Sequence, residues 1–285
     1  MRHDPDVQRA ASSYRLGLPR FPVTGRTGEL LGRGSGSSLE FQEYRPYQPG
    51  DDIRHLDWAA YARSDSLMVR LYREEISPRS EILLDASRSM LTGGPFKAHL
   101  ARQLGSLFAM LASQLGGQPS LILLGDNRPL EVLSMEMLDR LTGVPFEGVA
   151  PLPHLLEENA VPLKKQAVRV VISDFLFQGD PEQLVRRLAG DASTLWLIQI
   201  LSEWESSPTP LGGRRLVDAE TSATSDLLLD RRTVAAYKER LQRLQDEYAR
   251  QCRRAHATWV SLIADRGLAT VCHDELCASG ILQPA

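Results

Sequence analysis

Two groups of polar side chains in this chain have the types and the spacing for chemistry. The first is an Asp-x-Ser-x-Ser pattern formed by Asp85, Ser87 and Ser89, directly after the apolar run at residues 82–84. One carboxylate and two hydroxyls at the end of a buried strand are hard oxygen ligands, which Mg²⁺ prefers. Asp174 follows a later apolar run and supplies a second carboxylate. These four residues are the candidate ligands of a magnesium site.

A purely structural interpretation of the same turn stays open. Short polar side chains next to a turn often satisfy the backbone instead of binding a ligand. In that case Asp85 caps the turn that follows it, and the hydroxyls of Ser87 and Ser89 bond to backbone amides.

The second group lies upstream of the first, in a segment rich in Pro and Gly. It combines alternating charges with aromatic rings, and its candidate residues are Arg45, Tyr47, Gly50, Asp51, Asp52, Arg54, Asp57 and Trp58. Such a surface could bind a partner protein. The favoured interpretation is a structural lock, in which the glycine is needed for a turn.

In the lock interpretation the charges are used inside the protein. Asp51 and Asp52 accept hydrogen bonds from loop amides, and Arg45 or Arg54 pairs with Asp57 to hold a small β-rich unit against the sheet. Pairs of this kind stabilise a fold without contributing to any reaction.

Together the two groups resemble the bacterial family known as domain of unknown function 58 (DUF58). In that family a segment like R-x-Y-x-P-G-D-D-x-R-x-x-D-W precedes a von Willebrand factor A-like (VWA-like) domain, and the similarity runs from about Asp4 to Leu282. The resemblance implies a metal-dependent adhesion site at which a partner's carboxylate completes the coordination of Mg²⁺. It also implies a MoxR-type AAA+ ATPase as partner and a role as adaptor or assembly factor.

One ligand that the resemblance implies is absent. An adhesion site normally adds a threonine from a loop that corresponds to residues 148–152, where this chain reads Gly-Val-Ala-Pro-Leu. The expected Mg²⁺ site is therefore short of one oxygen, which leaves it completed by extra water or degenerate.

Composition narrows the class of protein. The chain has 285 residues, of which 42% are hydrophobic and 24% charged, as in ordinary globular proteins. A net charge of -3 gives no reason to expect nucleic-acid binding. No apolar run approaches the ~20 residues of a membrane span, and the N-terminus lacks the apolar core of a signal peptide. Three cysteines, Cys252, Cys272 and Cys277, are too few for a disulfide framework, so we expect a cytoplasmic protein.

Hydrophobic periodicity predicts an α/β fold with a doubly wound, mainly parallel sheet of the VWA-like type. Nearly continuous apolar strands alternate with amphipathic helices, which indicates a sheet covered on both faces. The predicted boundaries are 1–79 for an N-terminal helix with the β-rich unit and 80–285 for the main domain. Within the latter we expect a hairpin in the polar connection at 202–226, a long helix ending near Gly267, and a last strand from Leu268 to Cys272.

The predicted function is non-catalytic protein–protein interaction, with no catalytic residues. Two rivals stay open, a metal-dependent hydrolase that uses Asp85 and Asp174 and a metal-free structural subunit. A hydrolase would need a general base and a substrate pocket over the strand ends.

Overall fold

A computed structural model describes residues 1–18, 39–74, 79–126, 131–158, 163–219 and 223–285. Its strands are β1 (Tyr14–Leu16), β2 (Leu39–Pro46), β3 (Met68–Glu74), β4 (Ser80–Asp85), β5 (Ser120–Leu124), β6 (Glu131–Leu133), β7 (Val168–Ser173), β8 (Thr194–Leu201), β9 (Gly212–Val217), β10 (Thr224–Leu229), β11 (Thr258–Ile263) and β12 (Leu282–Pro284). Its α-helices are α1 (Pro5–Ser13), α2 (Trp58–Ser64), α3 (Phe96–Gln114), α4 (Leu152–Glu158), α5 (Pro181–Ala189), α6 (Glu203–Ser206), α7 (Arg231–Arg254) and α8 (Gly267–Val271). Short 3₁₀ turns include Ile53–His55 and Arg88–Leu91.

The main sheet has the order β11-β8-β7-β4-β5-β6 within the described part of the chain. All neighbours pair in parallel except β6, which is antiparallel to β5. From β4 the chain builds outward first through β5 and then, on the other side, through β7, so the strand order reverses between β4 and β7. The predicted α/β class with a doubly wound, mainly parallel sheet is confirmed.

Each face of the sheet carries its own hydrophobic core. On one face, side chains of α1, α3 and α8 pack against alternate strand residues such as Ile82 and Leu84. On the other face, α4, α5 and α7 pack against the strand residues that alternate with these, such as Leu83. Because both sides of β4 and β7 are covered, all their residues are buried and apolar residues run through them without alternation.

The amino-terminal ends of β4 and β7 are joined by a buried ion pair. Glu81 and Arg169 are cross-strand partners, and both side chains have no solvent exposure. Arg169 also donates hydrogen bonds to the backbone carbonyls of Lys164, Leu188 and Gly190. The guanidinium is thereby surrounded by acceptors, the condition under which a buried charge is tolerated.

The chain forms two compact units, one of Met1–Leu18 with Pro78–Ala285 and the other of Pro19–Ser77. Residues 1–18 therefore belong to the larger unit, not to the N-terminal unit of residues 1–79 that the sequence suggested. The reason is tertiary: Val7, Ala10 and Ala11 on α1 join the core beside α3, and β1 pairs with β12 near the end of the chain. The smaller unit contains the β2–β3 hairpin, with a bulge between Phe41 and Glu43, and α2.

The C-terminal part differs from the sequence prediction. Helix α7 ends at Arg254 and not near Gly267, and the edge strand that follows is β11, which pairs with β8. The expected strand from Leu268 to Cys272 is wrong, because these residues lie in α8 and the π-helical turn after it. The hairpin in the polar connection is present as β9 and β10. No helix in the described residues is long and apolar enough to cross a membrane.

Candidate functional site

The carboxyl ends of β4 and β7 bring the two predicted carboxylates together. The strands are parallel neighbours, with Leu84 opposite Ile172, so Asp85 and Asp174 emerge side by side at the reversal of strand order. In open α/β sheets this crevice is the usual place for ligands. Ser173 links the two strand ends, because its hydroxyl donates a hydrogen bond to Asp85 Oδ2 over 2.6 Å.

The Asp-x-Ser-x-Ser turn is closed by its own hydrogen bonds. The backbone N–H of Ser87 donates to Asp85 Oδ1 at 2.9 Å, as the capping interpretation expected. The Oγ atoms of Ser87 and Ser89 lie 2.9 Å apart and bond to each other. All four predicted ligands thus belong to one connected cluster, in which both oxygens of Asp85 already have protein donors.

A lysine that the sequence prediction did not include lies at the middle of this cluster. Lys97, in the first turn of α3, is fully buried. Its ammonium donates to the carbonyl oxygen of Ser89 at 2.9 Å, to Asp174 Oδ2 at 3.0 Å and to Glu205 Oε1 at 2.8 Å. An ammonium has three N–H donors, and all three have acceptors here.

Glu205 reaches the lysine from α6, directly after β8. A reciprocal capping box holds it, since its Oε2 accepts from the N–H and hydroxyl of Ser202 while the Glu205 N–H faces the Ser202 hydroxyl. The loop after β4 packs closely on the same serine. A Cβ atom added to Gly93, whose φ is +80°, would lie 2.2 Å from Ser202 Oγ. Only glycine fits this approach.

The pKa of Asp85 is raised to about 6, first by burial and second by the charge of the neighbouring Asp174. Hydrogen bonds from Ser173 and Ser87 oppose the increase without cancelling it. The pKa of Asp85 is raised because no positive charge is bonded to this buried carboxyl group. The ammonium of Lys97 is bonded to Asp174 and Glu205, and Asp85 is left to neutral donors.

The loop expected to supply a threonine contacts the site through its backbone. Arg88 donates its N–H to the carbonyl of Gly148 at 2.8 Å, and the Gly148 N–H donates to the carbonyl of Ala86 at 3.1 Å. Asp126 caps the next two amides, those of Val149 and Ala150. The loop is therefore fixed beside the Asp-x-Ser-x-Ser turn, and it brings no side-chain oxygen to it.

These residues do not fit a resident divalent cation well. The carboxylate oxygen of Asp174 and the Ser89 carbonyl oxygen that face the centre are bonded to an ammonium, whose charge repels another cation. The threonine oxygen is absent, and both oxygens of Asp85 accept hydrogen bonds. Among the described residues, no three His, Cys, Asp or Glu side chains form a group that could hold a metal ion.

Exposed apolar side chains lie on the segments that carry this centre. They lie on the loops and helix ends that follow β4, β7 and β8 and on the neighbouring 148–150 loop, and they are Leu91 (48% exposed), Phe96 (54%), Val149 (39%), Leu176 (37%) and Trp204 (40%). We call this set the apolar rim. Because all of these segments leave the same edge of a parallel sheet, the rim and the charged centre share one end of the domain.

Comparison with known proteins agrees with the motif-based resemblance. The family model described as "Protein of unknown function DUF58" matches residues 43–247 of the chain. The chain belongs to the DUF58 family. The uncharacterized proteins Mb1516 of Mycobacterium bovis and Rv1480 of Mycobacterium tuberculosis are each 24% identical to it over 275 residues, covering 92% of this chain and 86% of theirs.

Several solved structures show low similarity to this DUF58 protein. An aerotolerance-related membrane protein from Bacteroides fragilis is 11% identical, covering 65% of this chain and 91% of its own, with a TM-score of 0.40. BatB from Bacteroides thetaiotaomicron is 12% identical, covering 65% and 90%, with a TM-score of 0.37. The SpRpn10 VWA domain is 20% identical, covering 43% and 75%, with a TM-score of 0.30. The fold of this DUF58 chain is a doubly wound, mainly parallel α/β sheet with the strand order given above.

The Arg45–Trp58 segment of the DUF58 motif lies wholly in the smaller unit. Arg45 pairs with Asp51 at 2.6 Å, and this hydrogen bond lowers the pKa of Asp51. Arg54 pairs with Asp52, also at 2.6 Å. The expected pairing of either arginine with Asp57 is therefore wrong, because each finds a carboxylate closer along the chain.

Asp57 instead begins a helix. Its Oδ1 accepts from the amides of Ala59 and Ala60 as N-cap of α2, and its Oδ2 accepts from the Tyr44 hydroxyl at 2.7 Å. Asp57 is buried, whereas Trp58 is 64% exposed.

The remaining residues of the segment form its turns. Gly50 has a φ of +106°, as the turn interpretation required. Asp51 and Asp52 accept from the amides of Gln48 and Arg54, as expected. The N–H of Tyr47 donates to the carbonyl of Leu67.

The sequence did contain signals for Lys97 and Glu205, the two residues of the centre that were not predicted. Lys97 lies four and seven residues before Ala101 and Leu104, so it falls on the buried stripe of α3. A lysine at such a position needs a buried partner. Ser202 and Glu205 form a Ser-x-x-Glu capping box directly after an apolar strand.

Proposed function

We propose that this DUF58 protein is a non-catalytic interaction module that docks onto a MoxR-type AAA+ ATPase in the cytoplasm, as an adaptor or assembly factor. The single observation that supports the proposal best is the apolar rim at the carboxyl ends of the strands. Large exposed apolar side chains that border one edge of a domain are typical of a protein-binding surface. The free thiols of Cys252, Cys272 and Cys277 are compatible with a reducing compartment.

The chemistry of the centre supports binding more than catalysis. Asp85, Asp174 and Glu205 each accept hydrogen bonds from protein donors on both oxygens. A general base needs a lone pair directed at the substrate. The charged centre serves in this proposal to hold the loops in place, and the rim makes the contact.

The rim contains side chains that can contribute most of a binding energy. Interface hot spots are enriched in Trp, Tyr and Arg, and truncating one costs 2 kcal/mol or more, about 30-fold in affinity. Trp204 and Phe96 are the aromatic members of the rim. We therefore expect these two to dominate the contact with the ATPase.

Matched serine variants test the proposal. Phe96→Ser and Trp204→Ser should each weaken binding of the purified MoxR-type ATPase from the same organism by about 10-fold or more, measured by biolayer interferometry. Leu115→Ser is the control, because Leu115 is 39% exposed and lies at the opposite end of α3, away from the rim. Equal affinities of all three variants would show that the rim is not the contact surface.

A separate assay addresses the hydrolase alternative. The isolated protein is incubated with phosphoester, ester and peptide substrates, with and without Mg²⁺ and Mn²⁺. We expect no turnover above buffer. Turnover that Asp85→Ala abolishes would replace the interaction proposal with an enzymatic one.

A further inference from the structure

We propose that the ammonium of Lys97 is the resident cation of this centre, so that the site works without a metal ion. The adhesion site that the DUF58 resemblance implies uses Mg²⁺ to neutralise carboxylates at the strand ends. Here a side chain of the protein occupies that role. The inference concerns the centre itself and stands whether or not the ATPase is the partner.

The first argument is charge. Asp85, Asp174 and Glu205 are all almost completely buried, as is Lys97. Burying carboxylates without a nearby positive charge is very unfavourable. Lys97 supplies that charge from within 3.0 Å of two of the three groups.

The second argument is coordination. The ammonium contacts one carbonyl oxygen and two carboxylate oxygens, contributed by the β4 loop, the β7 end and α6. A metal ion would have to gather the same loops. The lysine joins segments that are 77 and 108 residues away from it in sequence, and it cannot dissociate.

The third argument is the loss of the other metal ligands. Gly148 stands in the loop that should supply a threonine, and the hydroxyls of Ser87 and Ser89 bond to each other. A chain that carries its own cation has no need for these oxygens. It follows that a partner's carboxylate cannot complete a metal site here. The same carboxylate cannot reach the ammonium of Lys97 directly either, because Lys97 is fully buried.

Metal titration is the first test. The full chain is freed of metal with EDTA, and Mg²⁺ and Mn²⁺ are titrated by calorimetry and by thermal denaturation, with NaCl at matched ionic strength as control. We expect no saturable heat and no shift of the melting temperature beyond the salt control. A saturable site that is lost in Asp85→Ala would overturn the proposal.

Charge-removal variants are the second test. Lys97→Met keeps most of the side-chain volume but leaves Asp174 and Glu205 without their cation, so the melting temperature should fall by on the order of 10 °C. The double variant Asp174→Asn with Glu205→Gln leaves the ammonium without its carboxylates and should also be less stable than the wild type. The triple variant, which combines all three substitutions, removes both signs of charge and should recover at least half of the loss.

The triple variant keeps the test decisive if Lys97→Met alone does not fold. A triple variant that is no more stable than Lys97→Met would show that the lysine acts by packing and not by charge. A double variant as stable as the wild type would show that the buried ammonium does not depend on the charges of Asp174 and Glu205. Neither measurement involves the ATPase, so failure here is distinct from failure of the rim variants.

Discussion

At the scale of single residues, Asp85 is a buried carboxyl group whose hydrogen-bond donors are neutral. Both of its oxygens accept hydrogen bonds, yet its donors are a neutral amide and a neutral hydroxyl. The ammonium of Lys97 is bonded to Asp174 and Glu205 instead. Ionisation of Asp85 therefore costs free energy in the folded state, and stability should depend on pH through this residue.

The sign follows from the raised pKa. The folded-state pKa of Asp85 is about 6 against an ordinary value of 3.8, so the folded protein binds this proton more tightly than the unfolded chain does. The resulting stabilisation is complete below the unfolded pKa of 3.8, and it is lost as the pH rises to about 6.

Asp85→Asn removes the titration, and its amide can still accept from Ser87 and donate to Ser173. The free energy of unfolding of the variant minus that of the wild type should therefore rise by about 3 kcal/mol at most between pH 4 and pH 7, measured by urea denaturation. Asp226→Asn is the control, because Arg215 lowers the pKa of Asp226 from 3.8, so its titration lies below this pH range and its difference should stay nearly constant. A difference for Asp85→Asn that stays constant over this range would contradict the prediction.

At the scale of elements, caps decide where helices begin and end. Helix α7 ends in a Schellman motif, in which Ala257 donates its N–H to the carbonyl of Cys252 and His256 donates to that of Arg253. The residue with positive φ is His256 and not glycine. The apolar spacing continues past this point into β11, so the sequence pattern ran on to Gly267.

Helix α2 begins at a cap that we expect to stabilise the smaller unit. Asp57→Ala removes the acceptor for two helix amides and for the Tyr44 hydroxyl, which should cost about 2 kcal/mol or more. Amide hydrogen exchange of α2 should accelerate accordingly.

Arg54→Ala is the matched control for this cap. The Arg54 side chain is 83% exposed, and exposed ion pairs contribute little, so exchange of α2 should hardly change. An equal effect of both substitutions would show that the ion pairs of the segment, and not the cap, hold it together.

At the scale of the whole molecule, the two ends of the chain close the larger unit. Strand β1 pairs with β12, and the N–H of Ala285 donates to the carbonyl of Ser13. Leu282 is buried in the core beside α3, three residues before Ala285. Because Leu282 is buried in this core, we expect it not to tolerate substitution.

Leu282→Ala should therefore destabilise the protein by about 2–5 kcal/mol, as truncation of a buried leucine does. Thermal denaturation and calorimetry would measure the effect. Gln283→Ala, at the exposed neighbouring position, is the control and should be close to neutral. If both variants melt like the wild type, the closure of the termini contributes nothing to stability.

The sequence by itself determined the sheet and the position of the candidate site. Apolar runs such as those of β4 and β7 predict strands that are buried on both faces, whichever elements cover them. A carboxylate at the end of each run must then emerge at the same edge. The turn at Gly50 was likewise predictable, because it depends on local geometry.

Only the tertiary structure decided what neutralises those carboxylates. Lys97 and Glu205 lie 108 residues apart, and no local pattern connects a lysine in one helix with a glutamate in another. Their contact depends on the strand order, which places β8 beside β7 and α3 over β4. The same holds for the pairing of β1 with β12. Several partners were chemically possible for each of these groups. The distances in the folded chain therefore decided which partner each group contacts.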